Sequence, residues 1–285
     1  MLKNKKIRWG IIGLGRIARL FAEDLKLIAE AELVAVASTN ATRADDFARE
    51  FHVSQAYAFY AELFNDSTID VIYVATLHNT HCEFSIEAMN HRKHVLCEKP
   101  VAINTSQANE MVNISTEKKV FFMEAFWTRY NPSILQIQEF ISQGVIGKLR
   151  YINAEFTFYK LEDNPNSRSL NVDLAGGSLL DMGVYAIFLS YLLLGIPEEI
   201  LARSQFFKTG AEIQTSIIFQ YENAQAIIYS GFANNTDMKA KICGEAGEIY
   251  IHPFWFEAQG FELSKMASLN FMIYLPWEKV LHMKF

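Results

Sequence analysis

A hexapeptide, Gly13-Leu14-Gly15-Arg16-Ile17-Ala18, lies between the apolar run Ile7 to Ile12 and a segment with helical spacing. A turn of this kind between a strand and a helix suits the pyrophosphate of a dinucleotide. The first glycine permits the tight turn, the second lets the backbone approach the phosphates, and the small Ala18 lets the helix pack on its strand. Amides at the helix start then face the anion, so Gly13, Gly15, Arg16 and Ile17 are expected at a cofactor. The next apolar run ends Ala37-Ser38-Thr39-Asn40, with Arg43 soon after. No carboxylate stands there to repel a 2′-phosphate. Ser38 and Thr39 offer hydrogen-bond donors and Arg43 or Arg16 a positive charge, which favours NADP, with NAD possible. Taken alone, Arg43 would be a solvated residue of the following helix.

Two further segments fall where such a fold exposes its site, at the carboxyl ends of strands. Val71 to Ala75 runs into Thr76-Leu77-His78-Asn79-Thr80-His81, and His94 to Cys97 runs into Glu98-Lys99-Pro100. Thr76, His78, Asn79, His81, Glu98 and Lys99 are expected at the cofactor. A lysine beside a nicotinamide holds a substrate hydroxyl or lowers the pKa of a neighbouring acid through its charge. His78 and His81 lack a third ligand at metal-binding spacing, and no metal is expected.

The elements that position these residues alternate in the first third: strands Ile7 to Ile12, Glu32 to Ala37, Ala56 to Ala58, Val71 to Ala75, His94 to Cys97 and Val120 to Glu124, with helices Ile17 to Ala29, Thr42 to Phe51, His81 to Asn90 and Thr105 to Lys118. That alternation predicts a doubly wound parallel sheet, a Rossmann domain over residues 1–124. Beyond it, helix Ser133 to Gln143, strand Leu149 to Phe158 and a helix Ala175 to Leu194, opened by Gly176 and Gly177, precede five strands with short turns: Ile200 to Phe207, Gln214 to Tyr221, Gln225 to Phe232, Asp237 to Cys243 and Glu248 to His252. This predicts an α+β domain over residues 125–285 with an open, mostly antiparallel sheet. The fold class is α/β with this second domain attached.

The chain has 285 residues, 51% of them hydrophobic and 20% charged, with 26 basic and 32 acidic residues spread along its length. Such a composition is that of a folded globular protein, and the lack of a basic stripe argues against nucleic acid as a partner. Cys82, Cys97 and Cys243 form no C-x-x-C pair, which fits a reducing, cytoplasmic compartment. Lys3, Lys5 and Lys6 before Ile7 to Leu14 mimic a signal peptide, but Arg8, Arg16 and Arg19 interrupt the pattern and export is not expected. The longest other apolar stretch, Val184 to Ile196, is shorter than the roughly 20 residues of a membrane span and reads as a buried helix.

Together, Gly13-x-Gly15, His78-Asn79-x-x-His81, the run Lys93 to Pro100 and the run Met123-Glu124-Ala125-Phe126-Trp127-Thr128-Arg129-Tyr130 resemble the glucose–fructose oxidoreductase/inositol dehydrogenase/MocA family, over about residues 7 to 263. Within it the pattern is most similar to the branch of the dimeric dihydrodiol dehydrogenases and NADP-dependent D-xylose dehydrogenases. The resemblance implies hydride transfer between a nicotinamide cofactor and a secondary alcohol of a sugar, polyol or cyclic diol. It makes Lys99 and Tyr185 the catalytic pair, Tyr185 standing where inositol dehydrogenases have histidine, and places the His78 to His81 turn beside the nicotinamide ribose.

Asp181 is four residues before Tyr185 and shares its helix face, so both side chains can point into one pocket. Asp181 would otherwise be a carboxylate favoured by a helix N-terminus, and Tyr185 a buried helix tyrosine. Trp127, Arg129 and Phe158 are candidates for the pocket wall, and Trp127 and Arg129 are equally plausible as core. A homodimer through the open face of the second sheet is implied by the resemblance, with Ile217, Phe219, Ile227, Tyr229 and Phe232 as its apolar residues. A nucleotide-sensing regulator of the same fold without catalysis is the rival reading. After Ser264 the chain departs from the family's C-terminal helices, which would leave Phe271, Ile273, Tyr274 and Trp277 exposed.

Overall fold

The computed structural model describes residues 6–161, 164, 167–265 and 268–274, and the chain divides into two units between Phe126 and Trp127. The first unit is built from β1 (Ile7–Ile12), α1 (Arg16–Leu25), β2 (Ala31–Ala37), α2 (Ala41–Phe51), β3 (Gln55–Tyr57), α3 (Tyr60–Asn65), β4 (Val71–Val74), α4 (His81–Asn90), β5 (His94–Cys97), α5 (Thr105–Lys118) and β6 (Phe122–Glu124). Its six strands lie in the order β3-β2-β1-β4-β5-β6 and every pair is parallel. The order reverses at the junction of β1 and β4, and a crevice beyond the carboxyl ends of those strands follows from such a reversal.

The pleat sends alternate residues to opposite faces, and each face has its own core. Ile11, Val36 and Tyr73 pack with Ala18, Ala22, Phe47 and Phe51 of α1 and α2. Their chain neighbours Ile12, Ala35, Ala37, Ile72 and Val74 pack with Leu63, Met89 and Met111 of α3, α4 and α5. The helix α3 was not anticipated; at six residues it is too short for an apolar period to register. Helix α1 ends at Leu25, short of the expected Ala29.

The second unit contains α6 (Pro132–Ser142), β7 (Leu149–Thr157), a π-helical turn (Leu179–Gly183) running into α7 (Val184–Leu194), and β8 (Glu199–Phe206), β9 (Glu212–Gln220), β10 (Gln225–Gly231), β11 (Ala240–Gly244), β12 (Gly247–Ile251), β13 (Phe261–Lys265) and β14 (Ser268–Tyr274). The sheet order is β14-β13-β12-β11-β7-β10-β9-β8, antiparallel except where β10 lies parallel to β7.

Two expectations need correction here, and a third region gains elements that the sequence did not indicate. The helix expected from Ala175 begins at Leu179, because Gly176 and Gly177 belong to a tight loop. A Cβ on Gly176 would meet the Arg168 carbonyl oxygen at 2.5 Å, and Gly177 has φ +142°. The proposed interface residues are split between the two faces of the sheet. Ile217 pairs with Ile228 and Phe219 with Ala226, all buried, and Phe232 is also buried; Ile227 and Tyr229 alternate to the other face and are half-buried. Finally, the chain after Ser264 continues as sheet. Phe271, Ile273 and Tyr274 lie in β14, which pairs with β13, and Trp277 lies outside the described residues.

Candidate active site

In the first unit the glycine turn has the shape that a pyrophosphate requires. Gly13 has φ +80°, and a Cβ there would stand 2.4 Å from the Ala75 carbonyl oxygen, so only glycine fits. Gly15 caps α1 in an extended conformation with no side chain on the first-turn amides, and a Cβ there would meet nothing within 4 Å. Open space at a helix N-terminus that no N-cap side chain occupies fits the anion of a dinucleotide. Arg16 is exposed at the start of α1 and Ile17 is half-buried.

At the end of β2, Ser38 is buried and its Oγ accepts the Asn40 N–H at 3.2 Å. Asn40 in turn caps α2, its Oδ1 accepting the Arg43 N–H at 3.0 Å. Thr39 and Arg43 are exposed beside this cap. The two hydroxyls and the guanidinium thus arise from six consecutive positions of one β–α junction.

The strand ends of β4 and β5 are tied together by His81. Its buried ring has Nδ1 2.8 Å from the Pro100 carbonyl oxygen and Nε2 3.2 Å from that of Thr76. The His78 ring, also buried, meets it edge-on at 5.7 Å. Thr80 donates from Oγ1 to Thr76 Oγ1 at 2.9 Å, which closes the same turn; Asn79 lies half-buried within it.

Glu98, expected at the cofactor, is buried, with its carboxyl hydrogen-bonded within the first unit. Oε1 accepts the Tyr73 hydroxyl and Oε2 accepts the Lys99 N–H, at 3.1 Å for the latter. Burial pushes its pKa up, opposed by the Tyr73 hydrogen bond and then by the charge of Lys99. Lys99 itself is half-buried and precedes a cis Pro100. Burial raises the Cys97 thiol far above its usual range, which leaves it an inert core group. Tyr73 and Glu124 were missed as parts of this arrangement. A polar-tipped Tyr73 within the apolar run of β4 was the available signal.

In the second unit, Tyr185 stands at the second residue of α7 with its ring 5% exposed. The Trp127 Nε1–H donates to its hydroxyl at 3.1 Å. Phe156 and Phe256 stack face to face, centroids 3.8 Å apart, and lie 5.5 and 5.7 Å from the Tyr185 ring. Phe158, 38% exposed, meets Phe156 edge-on. Trp127, Phe158 and Tyr185 are therefore brought into one aromatic cluster, with Phe256 a member that the sequence did not indicate. Arg129 is exposed on the turn that Trp127 opens.

Asp181 lies in the π-helical turn and pairs with two cations, Arg168 Nη2 at 3.2 Å and Lys160 Nζ at 3.7 Å. The start of this turn is held from the sheet. Glu212 Oε2 accepts the Leu179 N–H at 2.7 Å and its Oε1 accepts the Ser178 hydroxyl at 2.9 Å. Among the described residues, no group of three or more His, Cys, Asp or Glu side chains is placed to hold a metal ion, and no helix is long and apolar enough to cross a membrane.

Residues 7–126 match an oxidoreductase family with an NAD-binding Rossmann fold, and residues 134–250 match the GFO/IDH/MocA C-terminal domain. The trans-1,2-dihydrobenzene-1,2-diol dehydrogenase of Xenopus tropicalis is 35% identical over 251 residues, which is 86% of this chain and 74% of that protein. The enzyme of the same name from Mus musculus is 35% identical over 254 residues, 87% of this chain and 75% of that protein. Among solved structures, KijD10, a 3-ketoreductase from Actinomadura kijaniata in complex with NADP and TDP-benzene, superimposes with a TM-score of 0.87 at 25% identity, covering 95% of this chain and 85% of that one.

Proposed function

The chain belongs to the Gfo/Idh/MocA oxidoreductase family, and from that premise we propose that it is an NADP-dependent dehydrogenase or reductase acting on a secondary alcohol of a trans-dihydrodiol, sugar or polyol. NAD is the second cofactor to test. The observation that carries this reading is the Tyr185 hydroxyl, set among aromatic rings and accepting a hydrogen bond from Trp127. A donor aimed at a phenol oxygen favours its ionised form, which is what a tyrosine needs in order to take a proton near neutral pH.

The amides behind Gly13 and Gly15 bind the pyrophosphate, and Ser38, Thr39 and Arg43 bind the ribose 2′-phosphate. When bound, the nicotinamide supplies the hydride acceptor or donor. Tyr185 takes the proton of the substrate hydroxyl at its phenol oxygen in oxidation and returns it in reduction. Lys99, the other residue that the family resemblance assigns to catalysis, orients a substrate hydroxyl by its positive charge. Aromatic side chains of the second unit offer a surface to an arene or a sugar ring.

The relatives' activity on trans-1,2-dihydrobenzene-1,2-diol supports a cyclic diol as the first substrate to try. We also propose a homodimer through the face of the C-terminal sheet that carries Leu201, Ile218, Ile227 and Tyr229, and a cytoplasmic setting in which Cys82, Cys97 and Cys243 remain thiols. Titration of the tryptophan fluorescence with NADPH and NADH, followed by turnover of the diol and of D-xylose by wild type and Tyr185→Phe, tests the function. Tight NADPH binding with turnover that falls by about a hundredfold or more in the variant is expected. Binding without turnover of any alcohol in wild type would leave the nucleotide-sensing regulator as the better reading.

A further inference from the structure

Strands β5 and β6 are parallel neighbours, with Cys97 opposite Glu124. The Ala125 N–H donates to the Cys97 carbonyl oxygen at 2.7 Å and closes the ladder there. The register places the Glu124 carboxyl beside the point where the chain leaves β5 for Lys99. Its Oε1 accepts the Val101 N–H at 2.8 Å. The same short segment is gripped twice more: Glu98 Oε2 accepts the Lys99 N–H at 3.1 Å, and the Pro100 carbonyl oxygen lies 2.8 Å from His81 Nδ1. Three side chains, from α4, from β6 and from the residue that follows β5, therefore engage three consecutive backbone positions, beginning at Lys99.

Burial raises the pKa of Glu124, with the Val101 hydrogen bond and then the charge of Lys99 acting the other way. A carboxyl withdrawn from water to satisfy one amide is a costly arrangement when an apolar residue and a solvated amide would serve stability as well. What it provides is a fixed peptide geometry just after the lysine.

We propose that Glu124 is a positioning residue for Lys99: through the Val101 N–H it fixes the backbone that carries the lysine, and so the place of the ammonium group that orients a substrate hydroxyl. This rests on the role given to Lys99 under the proposed function. The physical leverage is large, since a misplacement of about 1 Å in a catalytic group costs on the order of a hundredfold in rate.

The test compares the full chain with Glu124→Met, which keeps the volume and removes the acceptor, and Glu124→Gln, which restores an acceptor without the charge. Three quantities are read: NADPH affinity by fluorescence, kcat and KM with trans-1,2-dihydrobenzene-1,2-diol, and the rate at which acetyl N-hydroxysuccinimide acylates Lys99 in the nucleotide-free protein, measured by peptide mass and normalised to the other lysines. In Glu124→Met we expect kcat to fall about tenfold or more, NADPH affinity to stay within about twofold, and Lys99 acylation to change at least about threefold. Glu124→Gln should lie within about threefold of wild type in all three.

Wild-type kcat and Lys99 acylation in a folded Glu124→Met protein overturn the proposal. So does a Glu124→Gln protein as impaired as Glu124→Met, since charge rather than the hydrogen bond would then be the cause. If Glu124→Met does not fold, Glu124→Asp, which withdraws the acceptor by one methylene, carries the same expectation. Wild-type protein that binds NADPH but does not turn over the diol would sink the substrate reading alone, and the acylation rates would still decide the role of Glu124.

Discussion

The indole N–H of Trp127 donates to the hydroxyl of Tyr185 at 3.1 Å, and the two rings meet edge to face with centroids 6.1 Å apart. The sequence expects one at a pocket wall and the other as an acid/base; if Tyr185 has that role, the bond couples Trp127 to it. Trp127→Phe keeps the packing and removes the donor. A net hydrogen bond of about 1 kcal/mol predicts a loss of roughly three- to tenfold in alcohol oxidation at neutral pH. Because the lost donor favoured the ionised phenol, the rising limb of rate against pH should move to higher pH in the variant. A pH profile that drops uniformly, with its midpoint unmoved, would assign Trp127 to substrate packing alone.

The two glycines of the cofactor turn make opposite predictions. An alanine at Gly13 would combine φ +80° with a Cβ 2.4 Å from the Ala75 carbonyl oxygen. A cost of about 3 kcal/mol or more follows, visible as a large drop in the thermal midpoint. At Gly15 the backbone is extended and a Cβ meets nothing, so Gly15→Ala should unfold at or slightly above the wild-type temperature. Its methyl group would occupy the approach of the pyrophosphate, and NADPH affinity should fall by about tenfold or more. A Gly15→Ala protein that binds NADPH as wild type does would remove this turn from the cofactor site.

How far the sequence disclosed all this depends on the range over which each feature is determined. Helices α4 and α5 and strand β5 coincide with their expected bounds, since the information is local: Asn104 caps α5 by accepting the Gln107 N–H, and Lys119 ends it with φ +55°. The π-helical start before α7 was not legible, because Glu212, 33 residues from Leu179, holds its first amide. The same holds for the carboxyls. The Glu98 and Glu124 side chains are each held by a partner distant from their own strand ends: Tyr73 on β4 for one, and Val101 beyond β5 for the other. Ile217 and Ile227 look alike as β-strand residues, and only the register decides which of them faces the helices.

Glu98 gives a pH signature that does not depend on any ligand. Burial raises its folded pKa, although the Tyr73 hydroxyl and the Lys99 charge oppose the shift. Below the ordinary carboxylate range both folded and unfolded chains carry the proton, and Glu98 costs nothing. As pH rises above the unfolded value the folded chain binds the extra proton, so the cost grows up to the folded pKa and stays constant beyond it. Glu98→Gln is neutral throughout. The difference in unfolding free energy, variant minus wild type, should therefore increase from about pH 4 upward and then level off. Urea titrations at a series of pH values measure it; a difference that stays flat would mean that the Glu98 carboxyl is not desolvated.

The proposed choice of NADP is tested at the junction of β2 and α2. The first turn of α2 has no acidic residue, and its cap is an asparagine whose side chain accepts the Arg43 N–H. Arg43 therefore lies at a fixed place in the first turn of the helix, exposed, with Thr39 exposed before it and Ser38 buried. A charged hydrogen bond to a 2′-phosphate is worth about 1.5–3 kcal/mol, so Arg43→Ala should weaken NADPH by roughly ten- to a hundredfold and leave NADH within about twofold. The exposed pair should also be screened: NADPH affinity in wild type should fall between about 0.01 and 0.15 M salt, and less steeply in Arg43→Ala. Thr39→Asp places a carboxylate where the 2′-phosphate would lie and should reverse the preference, since the carboxylate repels the phosphate and accepts from a ribose hydroxyl. If Arg43→Ala weakens both nucleotides equally, the arginine steers dinucleotides in general and does not select NADP over NAD.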